Sequence, residues 1–271
     1  MAGCEKNEEE DANDSVYTIP AEYHDMTAAR HLKKIHSEYV SYDWTDHNDT
    51  VTIPDSIVFI WNGDRVSGVH EYHYAISEFD NQLFLNEDIT YSCTYENNRI
   101  ANIHCVEIIY WNDTVGNWQS DRLEWDVPLK YTGMYLTEID NNKVYYNDSS
   151  DVIDIKYYCE GEWVSKYKNP VWQNRNLLSL THIDQNDGST WPYNYTYDNK
   201  ISMYRCIPRE LAIFLSYGGN ESSCSRNNVI STYHVTDSYV VTFSYEYDGD
   251  YPKKRVWATP NSKETTYYEY E

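Results

Sequence analysis

The chain has 271 residues, which is enough for one large domain or two small ones. Its 44 Asp and Glu residues outnumber its 21 Lys and Arg residues, and the formal net charge is -23. A surface this acidic repels phosphate backbones and anionic lipid headgroups, which argues against nucleic-acid binding. No segment approaches the roughly 20 consecutive apolar residues of a membrane-spanning helix.

The N-terminal residues 1–18 predict a disordered tether, because they are polar and rich in acidic residues. Within them, the small residues Ala2 and Gly3 stand directly before Cys4, an order typical of the end of a bacterial lipoprotein signal. Cys4 is therefore a candidate lipidation site, with a free Cys as the alternative. No Pro-, Gly- or Ser-rich linker divides the remainder, so residues 19–271 are predicted to form a single antiparallel β domain.

Residues 21–42 carry conflicting signals. Leu32, Ile35 and Tyr39 fall three and four positions apart, as on one face of a helix. The same residues lie directly ahead of a predicted hairpin, which favours a first strand over residues 31–39. Of the two alternatives we expect the strand.

One phrase recurs along the chain: a strand rich in aromatic or β-branched residues, a tight polar turn, a basic residue and a second strand. Asn, Asp and Gly in the turn accept the positive φ that hairpins need. The phrase therefore predicts consecutive antiparallel hairpins, and its irregular spacing excludes a solenoid of fixed repeat. The predicted turns contain Gly63, Asn97, Asp140, Asp198 and Gly249.

The predicted strands show the expected alternation, since Tyr193 and Tyr195 are separated by polar residues as in a half-buried strand. One segment differs. Pro208 suits the first position of a helix and Gly218 suits its left-handed C-terminus. The predicted fold class is all-β: one large curved antiparallel sheet, a half-barrel or porin-like, made of consecutive hairpins. One short helix near residues 208–217 is expected to seal one face or one open end of that sheet.

Several of these pieces resemble a known family. The turn Tyr197-Asp198-Asn199-Lys200-Ile201, the segment 225–229, the hairpin at 247–255 and the C-terminal aromatic strand are similar, in this order, to pieces of uncharacterised lipoproteins of gut Bacteroidetes. Repeated Tyr-Asp-turn hairpins in that family build a large curved sheet described as porin-like. Together with Cys4, the resemblance implies an outer-membrane lipoprotein of the cell envelope, exposed at the surface and held by an N-terminal lipid anchor. It implies no catalytic residue.

The sequence contains no Gly-rich phosphate loop, no G-x-S-x-G elbow and no H-E-x-x-H motif. His70 and His73 would point to opposite faces of a strand and would not bind one metal ion together. The acidic stretch 184–188 is typical of a turn, because the Glu that closes an EF-hand calcium loop is absent. We therefore expect no enzyme activity, no metal site and no cofactor.

The remaining functional signal is aromatic. Flat aromatic faces beside amides and carboxylates bind sugar rings, whose apolar faces stack while their hydroxyls are hydrogen-bonded. Filling the interior of a wide, thin sheet is the alternative role for such residues. The candidate glycan-binding residues are Trp111, Trp118, Trp125, Trp163, Trp172 and Trp191. A glycan-binding module is thus the first hypothesis. The others are a structural or accessory subunit of an outer-membrane complex and a hydrophobic-ligand carrier with an apolar cavity of ~300 Å³ or more.

Five cysteines follow Cys4, and an odd number cannot all pair within one chain. Cys206 and Cys224 flank the predicted helix and are the candidate disulfide in an oxidising compartment. The sequence leaves the oligomeric state open.

Overall fold

The structure, a computed structural model, describes residues 29–42, 50–77, 82–112, 116–159, 162–184, 188–216, 221–234, 239–258 and 262–271. The predicted tether and Cys4 lie outside these residues. The described part of the chain forms seventeen strands, one α-helix and two 3-10 turns. The strands are β1 (Leu32–Tyr42), β2 (Thr50–Asn62), β3 (Arg65–Ile76), β4 (Leu83–Glu96), β5 (Arg99–Asn112), β6 (Trp118–Thr132), β7 (Tyr135–Ile139), β8 (Asn142–Tyr146), β9 (Val152–Cys159), β10 (Glu162–Ser165), β11 (Tyr167–Gln173), β12 (Asn176–Ile183), β13 (Thr190–Ile201), β14 (Asn227–His234), β15 (Tyr239–Asp248), β16 (Tyr251–Ala258) and β17 (Ser262–Tyr270). The helix α1 is Arg209–Ser216, and the 3-10 turns are Met203–Cys206 and Glu221–Cys224.

The strands form one nearly closed, barrel-like antiparallel sheet. Sequential strands pair with each other, except that β10 and β11 follow one another along one edge. β17 returns to pair with β1, with Tyr268 opposite Ile35. Lys166 joins β10 to β11 and is bonded on both sides, because its N–H donates to Ile155 at 2.9 Å and its carbonyl accepts from Ile183 at 2.9 Å. The all-β prediction of consecutive hairpins is confirmed, and β1 confirms a strand rather than a helix at the start.

The hairpins bring alternate turns to the same end of the barrel, which we call the short-turn end. Asn97 and Asn98 both have positive φ there, as a two-residue hairpin turn requires. The turns predicted at Gly63, Asn97, Asp140 and Gly249 are confirmed, because strands end and begin on either side of each. Those at Gly63, Asn97 and Gly249 lie at the short-turn end.

The turn predicted at Asp198 is wrong, because β13 continues through it to Ile201. The Asp198 carboxylate explains this result. It accepts hydrogen bonds from the backbone N–H of Lys200 at 2.9 Å and of Asn228 at 3.2 Å, and also from the Tyr247 hydroxyl. These bonds hold the residue against β14 and leave an irregularity in the register rather than a reversal of the chain.

Aromatic residues near the short-turn end, several of them from the recurring phrase, have a structural role. In each case an indole N–H or phenol O–H donates to a main-chain carbonyl at the start of the neighbouring strand. The pairs are Trp61 with Leu32, Tyr95 with Val66, Tyr131 with Ile100, Tyr197 with Leu177, Tyr245 with Val229 and Tyr270 with Pro252, all at 2.7–2.9 Å. The basic residue of the phrase covers the same rings, since Arg65 lies 5.2 Å from the Tyr95 centroid and Arg99 5.1 Å from that of Tyr131.

Replacing Tyr131 by Phe is expected to lower the free energy of unfolding by about 0.5–1.5 kcal/mol, because the Ile100 carbonyl loses its donor. Tyr267→Phe is the matched control, since Tyr267 is 39% exposed and is expected to tolerate the change within about 0.5 kcal/mol. Urea denaturation followed by tryptophan fluorescence measures both. Equal losses in the two variants would contradict the role given to the buried hydroxyl.

The core lies inside the barrel towards the short-turn end. Inward side chains of the long strands, such as Val69, Ile103 and Leu129, meet residues 202–216 and 221–226, which we call the plug. In α1 of the plug, Leu211 is fully buried, and Phe214 contacts the Tyr91 ring edge-to-face at 5.4 Å. The prediction of a short helix is confirmed, and this helix closes one end of the sheet. No helix in the described ranges is long and apolar enough to cross a membrane.

Candidate functional site

A cavity of about 400 Å³ lies inside the barrel above the first 3-10 turn, and we call it the lumen pocket. Its wall is the inner face of β13 to β17, and its floor includes Met203 and Tyr204 of the plug. The aromatic lining is Tyr193, Tyr195, Phe243, Tyr245, Trp257 and Tyr268. The alternation of each strand points these rings inward, and the strand register joins them, with Phe243 opposite Trp257.

One ion pair lies among these rings. Arg255 donates through Nη2 to the Glu264 carboxylate and to Thr266 Oγ1, and Thr266 Oγ1 in turn donates to Glu264 at 2.8 Å. Burial raises the pKa of Glu264, but the charge of Arg255 and hydrogen bonds from Trp257 and Thr266 outweigh it and hold that pKa below its ordinary value. Glu264 is therefore ionised at neutral pH and fixes the guanidinium in the pocket.

Arg255 also has one buried donor, its Nε, without a hydrogen-bond partner in the described part of the chain. The guanidinium carbon lies 5.5 Å from the Phe243 ring centroid, so the group is also held by an aromatic face. An unpaired buried donor is unfavourable, so the ion pair and the ring contact hold the guanidinium in place against this cost.

A polar row continues from the ion pair along the inner face. By register, Arg255 lies opposite Thr266, Thr266 opposite Ser37, Ser37 opposite Asp55 and Asp55 opposite His73. Ser37 Oγ donates to Thr266 Oγ1 at 3.2 Å, which links the two halves of the row. The lumen therefore has an aromatic side with a balanced ion pair and a second side that carries titratable groups.

His73 is the cation of that second side. Its Nδ1 lies 3.6 Å from Asp55 and its Nε2 3.5 Å from Glu71. These two carboxylates, Asp55 first, raise the pKa of His73 to about 10, against the opposing effect of burial. His70 points to the other face of β3, as expected. It lies opposite Val58, whereas His73 lies opposite Asp55 in the polar row of the inner face.

The folded protein is expected to lose stability as the pH rises from about 6.5 to about 10, in part because of His73. A group whose pKa is raised by folding contributes stability that is fully present below its pKa in the unfolded chain. That contribution is lost as the pH rises through the pKa of the group in the folded protein. The His73 side chain is 35% exposed, so water screens part of its contribution to stability. Thermal melts of the wild type and His73→Gln across this range measure it, and parallel profiles would contradict the assignment.

The carboxylates on the inner face outnumber the cations there. Glu71, Glu87 and Glu107 share the face of His73, and burial followed by the nearby charge of Glu87 raises the pKa of Glu107. The lumen is thus negative away from the Arg255–Glu264 pair. No group of three or more His, Cys, Asp or Glu side chains within the described residues is arranged to hold a metal ion.

The structure disperses the tryptophans predicted from the sequence. Trp118 and Trp125 are seven residues apart, an odd spacing that places them on opposite faces of β6. Trp118 is on the outer face and contacts the Phe84 ring edge at 4.7 Å, whereas Trp111 and Trp125 lie on the inner face of neighbouring strands.

The other three predicted tryptophans lie elsewhere. Trp172 packs against the core, Trp191 stacks on His182 at 6.0 Å, and the side chain of Trp163 is outside the description. None of the five predicted tryptophans with a described side chain lines the lumen pocket. Sequence reasoning missed Trp257 and Arg255, and the alternation of Phe243 and Tyr245 in β15 was the signal that pointed to this wall.

The predicted disulfide is not formed, because Cys206 and Cys224 are both free thiols. The two face different surroundings. Charges of Arg205 and Arg30 act on Cys206, whereas Arg209 and Asp151 act on Cys224. Burial raises the pKa of both thiols, to about 12 for Cys206, so neither is reactive at neutral pH.

No protein-family model and no curated protein matches this sequence. The function must therefore be argued from the lumen pocket. Flat aromatic walls, a fixed guanidinium and a fully engaged carboxylate can hold a ligand by stacking and hydrogen bonding.

Proposed function

We propose that the protein is a non-catalytic binding protein whose lumen pocket holds an uncharged sugar residue of a glycan. The observation that carries the proposal is the set of six aromatic rings that line the pocket beside Arg255, whose guanidinium Glu264 fixes. Sugar rings stack their apolar faces on such walls and offer hydroxyl acceptors to such donors.

The charge of the lumen favours a neutral sugar over an acidic one. Glu264 already balances Arg255, and Glu71, Glu87 and Glu107 make the rest of the inner face negative. A uronic acid or a phosphorylated lipid would bring a further negative charge into this space and would be repelled.

The cellular setting forms part of the same proposal. An envelope protein anchored through a lipid on Cys4 at the outer surface would meet free and polymeric glycans. Support comes only from the residues around Cys4 and from the resemblance to surface lipoproteins. Metabolic labelling with a palmitate analogue in a bacterial host, compared with Cys4→Ala, tests the anchor.

The test of the binding function is isothermal titration with neutral oligosaccharides such as cellotetraose, xylotetraose and mannotetraose. Trp257→Ala is expected to weaken binding at least about tenfold, because a stacking face of the pocket is lost. Trp118→Ala is the matched control, since Trp118 is 53% exposed on the outer face and should leave the affinity unchanged.

A hydrophobic-ligand carrier is the second candidate, because the lumen pocket exceeds the ~300 Å³ that a small apolar ligand needs. The polar floor, which includes Ser202 and Asn228, makes it the weaker one. Displacement of a fluorescent fatty acid separates the two candidates. Fatty-acid binding that Trp257→Ala abolishes, without binding of any neutral oligosaccharide, would replace the sugar by a lipid.

A further inference from the structure

Among the residues that the structure describes, the first ten of β6 have a partner strand on one side only. Residues 118–128 pair with β5 along their whole length. On the other side β7 begins to pair only at Leu129, and no strand of the described chain lies beside residues 118–127 there. This free edge of β6, residues 118–127, interrupts the wall of an otherwise nearly closed barrel.

The free edge is open to solvent. Eight of its ten residues are exposed, including Trp118 at 53% and Trp125 at 41%. A long exposed edge presents a row of unpaired N–H and C=O groups, which another strand can extend by backbone hydrogen bonding. Native proteins keep such edges short, cover them or place charged side chains on them, and this edge is long and charged. The charges therefore restrict which strands can pair with it.

The order of charges on the edge indicates what that partner is. Two identical strands that pair antiparallel about a twofold axis place each residue opposite its mirror position across the centre. Centring on Arg122 sets two Arg122 side chains opposite each other, and centring on Glu124 does the same for two glutamates. Centring on Leu123 places Arg122 of each copy opposite Glu124 of the other, with no like charges opposed.

We propose that the free edge of β6 pairs with the same edge of a second copy of this chain, antiparallel and centred on Leu123. Residues 119 to 127 then pair across the axis, and the two Leu123 side chains meet on the inner face. Within one copy Arg122 contacts Glu124 at 2.8 Å on the outer face, and Glu124 also lies 3.2 Å from His104. In the dimer Arg122 exchanges this contact for Glu124 of the other copy, since both side chains are exposed.

The expected dimer is weak. A contact between two strand edges is small compared with stable interfaces, and two chains of charge -23 repel each other. We therefore expect dissociation in the micromolar range, with amides of residues 119–127 protected from hydrogen exchange only at high protein concentration. Sedimentation equilibrium and concentration-dependent hydrogen exchange on the full chain measure both.

Charge reversal tests the register. Arg122→Glu sets glutamates opposite each other and should weaken the dimer at least about tenfold, and Glu124→Arg should do the same with arginines. The double variant R122E/E124R restores both pairs and should dimerise like the wild type. An equimolar mixture of the two single variants should form a heterodimer, because the two glutamates of one variant then face the two arginines of the other.

Each outcome decides the proposal. Side chains of Arg122 and Glu124 are 60% and 44% exposed, so the variants should fold, which circular dichroism checks. A wild type that stays monomeric at high concentration would overturn the proposal. So would a dimer that survives both single reversals, or one that the double variant fails to restore. Binding of a Lys-rich extended peptide by a monomeric wild type would assign the edge to a different, basic partner and overturn it as well.

Discussion

Leu211→Ala is expected to lower the free energy of unfolding by about 2–5 kcal/mol. Leu211 is fully buried on α1, where the plug meets the core of the barrel. The cavity left by the change cannot collapse easily, because Arg209 is tied to the Ser150 carbonyl and Ser223 donates to that of Ala212 at 3.3 Å. Fixed surroundings make a large-to-small change costly.

The control for Leu211 is Leu83→Ala, since Leu83 is 46% exposed and its truncation removes little buried surface. Denaturant unfolding of both variants gives the comparison. The plug also supplies Met203 and Tyr204 to the floor of the lumen pocket, so Leu211→Ala should weaken sugar binding even where the protein is folded. Similar stability losses for the two leucines would show that the plug is not part of the core.

The local parts of the fold were accessible from the sequence. Asn97 and Asn98 adopt the positive φ that only a few residue types accept, so the turn chemistry alone placed the hairpin between β4 and β5. Period-two alternation in β13 and β15 revealed strands and their inward faces. The helix α1 was predictable for the same reason, because Pro208 and the apolar residues that indicate a helix lie within a few positions of each other.

The wrong predictions and the overlooked site residues have a common physical cause. The sequence of one strand does not determine which residues of the neighbouring strands lie opposite it. Asp198 looks like a turn residue locally, yet bonds from Asn228 and Tyr247, distant in the sequence, keep the strand extended. The tryptophans were grouped by sequence spacing, whereas the lumen pocket brings together residues of five strands. Arg255 became a site residue only through its register with Thr266 and Tyr245.

Closing the sheet likewise depends on long-range pairing. Nothing in β1 or β17 alone predicts that Tyr268 lies opposite Ile35, more than two hundred residues away. The resemblance to porin-like lipoproteins implied curvature but not the plug or the free edge of β6. The free edge follows from strand lengths, because β6 has 15 residues and β7 only 5, so most of β6 has no partner on that side among the described residues.

Glu264→Gln is expected to lower the free energy of unfolding by about 2–3 kcal/mol at neutral pH. It leaves Arg255 without its counter-charge in a pocket where the two side chains are only 23% and 21% exposed. Glu246→Gln is the matched control, because Glu246 pairs with Lys254 on the outer face at 54% exposure and water takes over its role.

The pH dependence distinguishes this charge effect from a loss of packing. Since folding lowers the pKa of Glu264 below its ordinary value of 4.5, the ion pair contributes stability above that value and loses it as the pH falls through the folded pKa. The wild type should therefore exceed Glu264→Gln in stability at neutral pH, and the difference should shrink in acid as Glu264 becomes protonated. Urea unfolding of both proteins between neutral pH and about pH 3 measures this difference. A gap that stays constant into acid would mean that Gln disturbs the packing around Trp257 and Thr266, and that the carboxylate charge does not hold Arg255 in place.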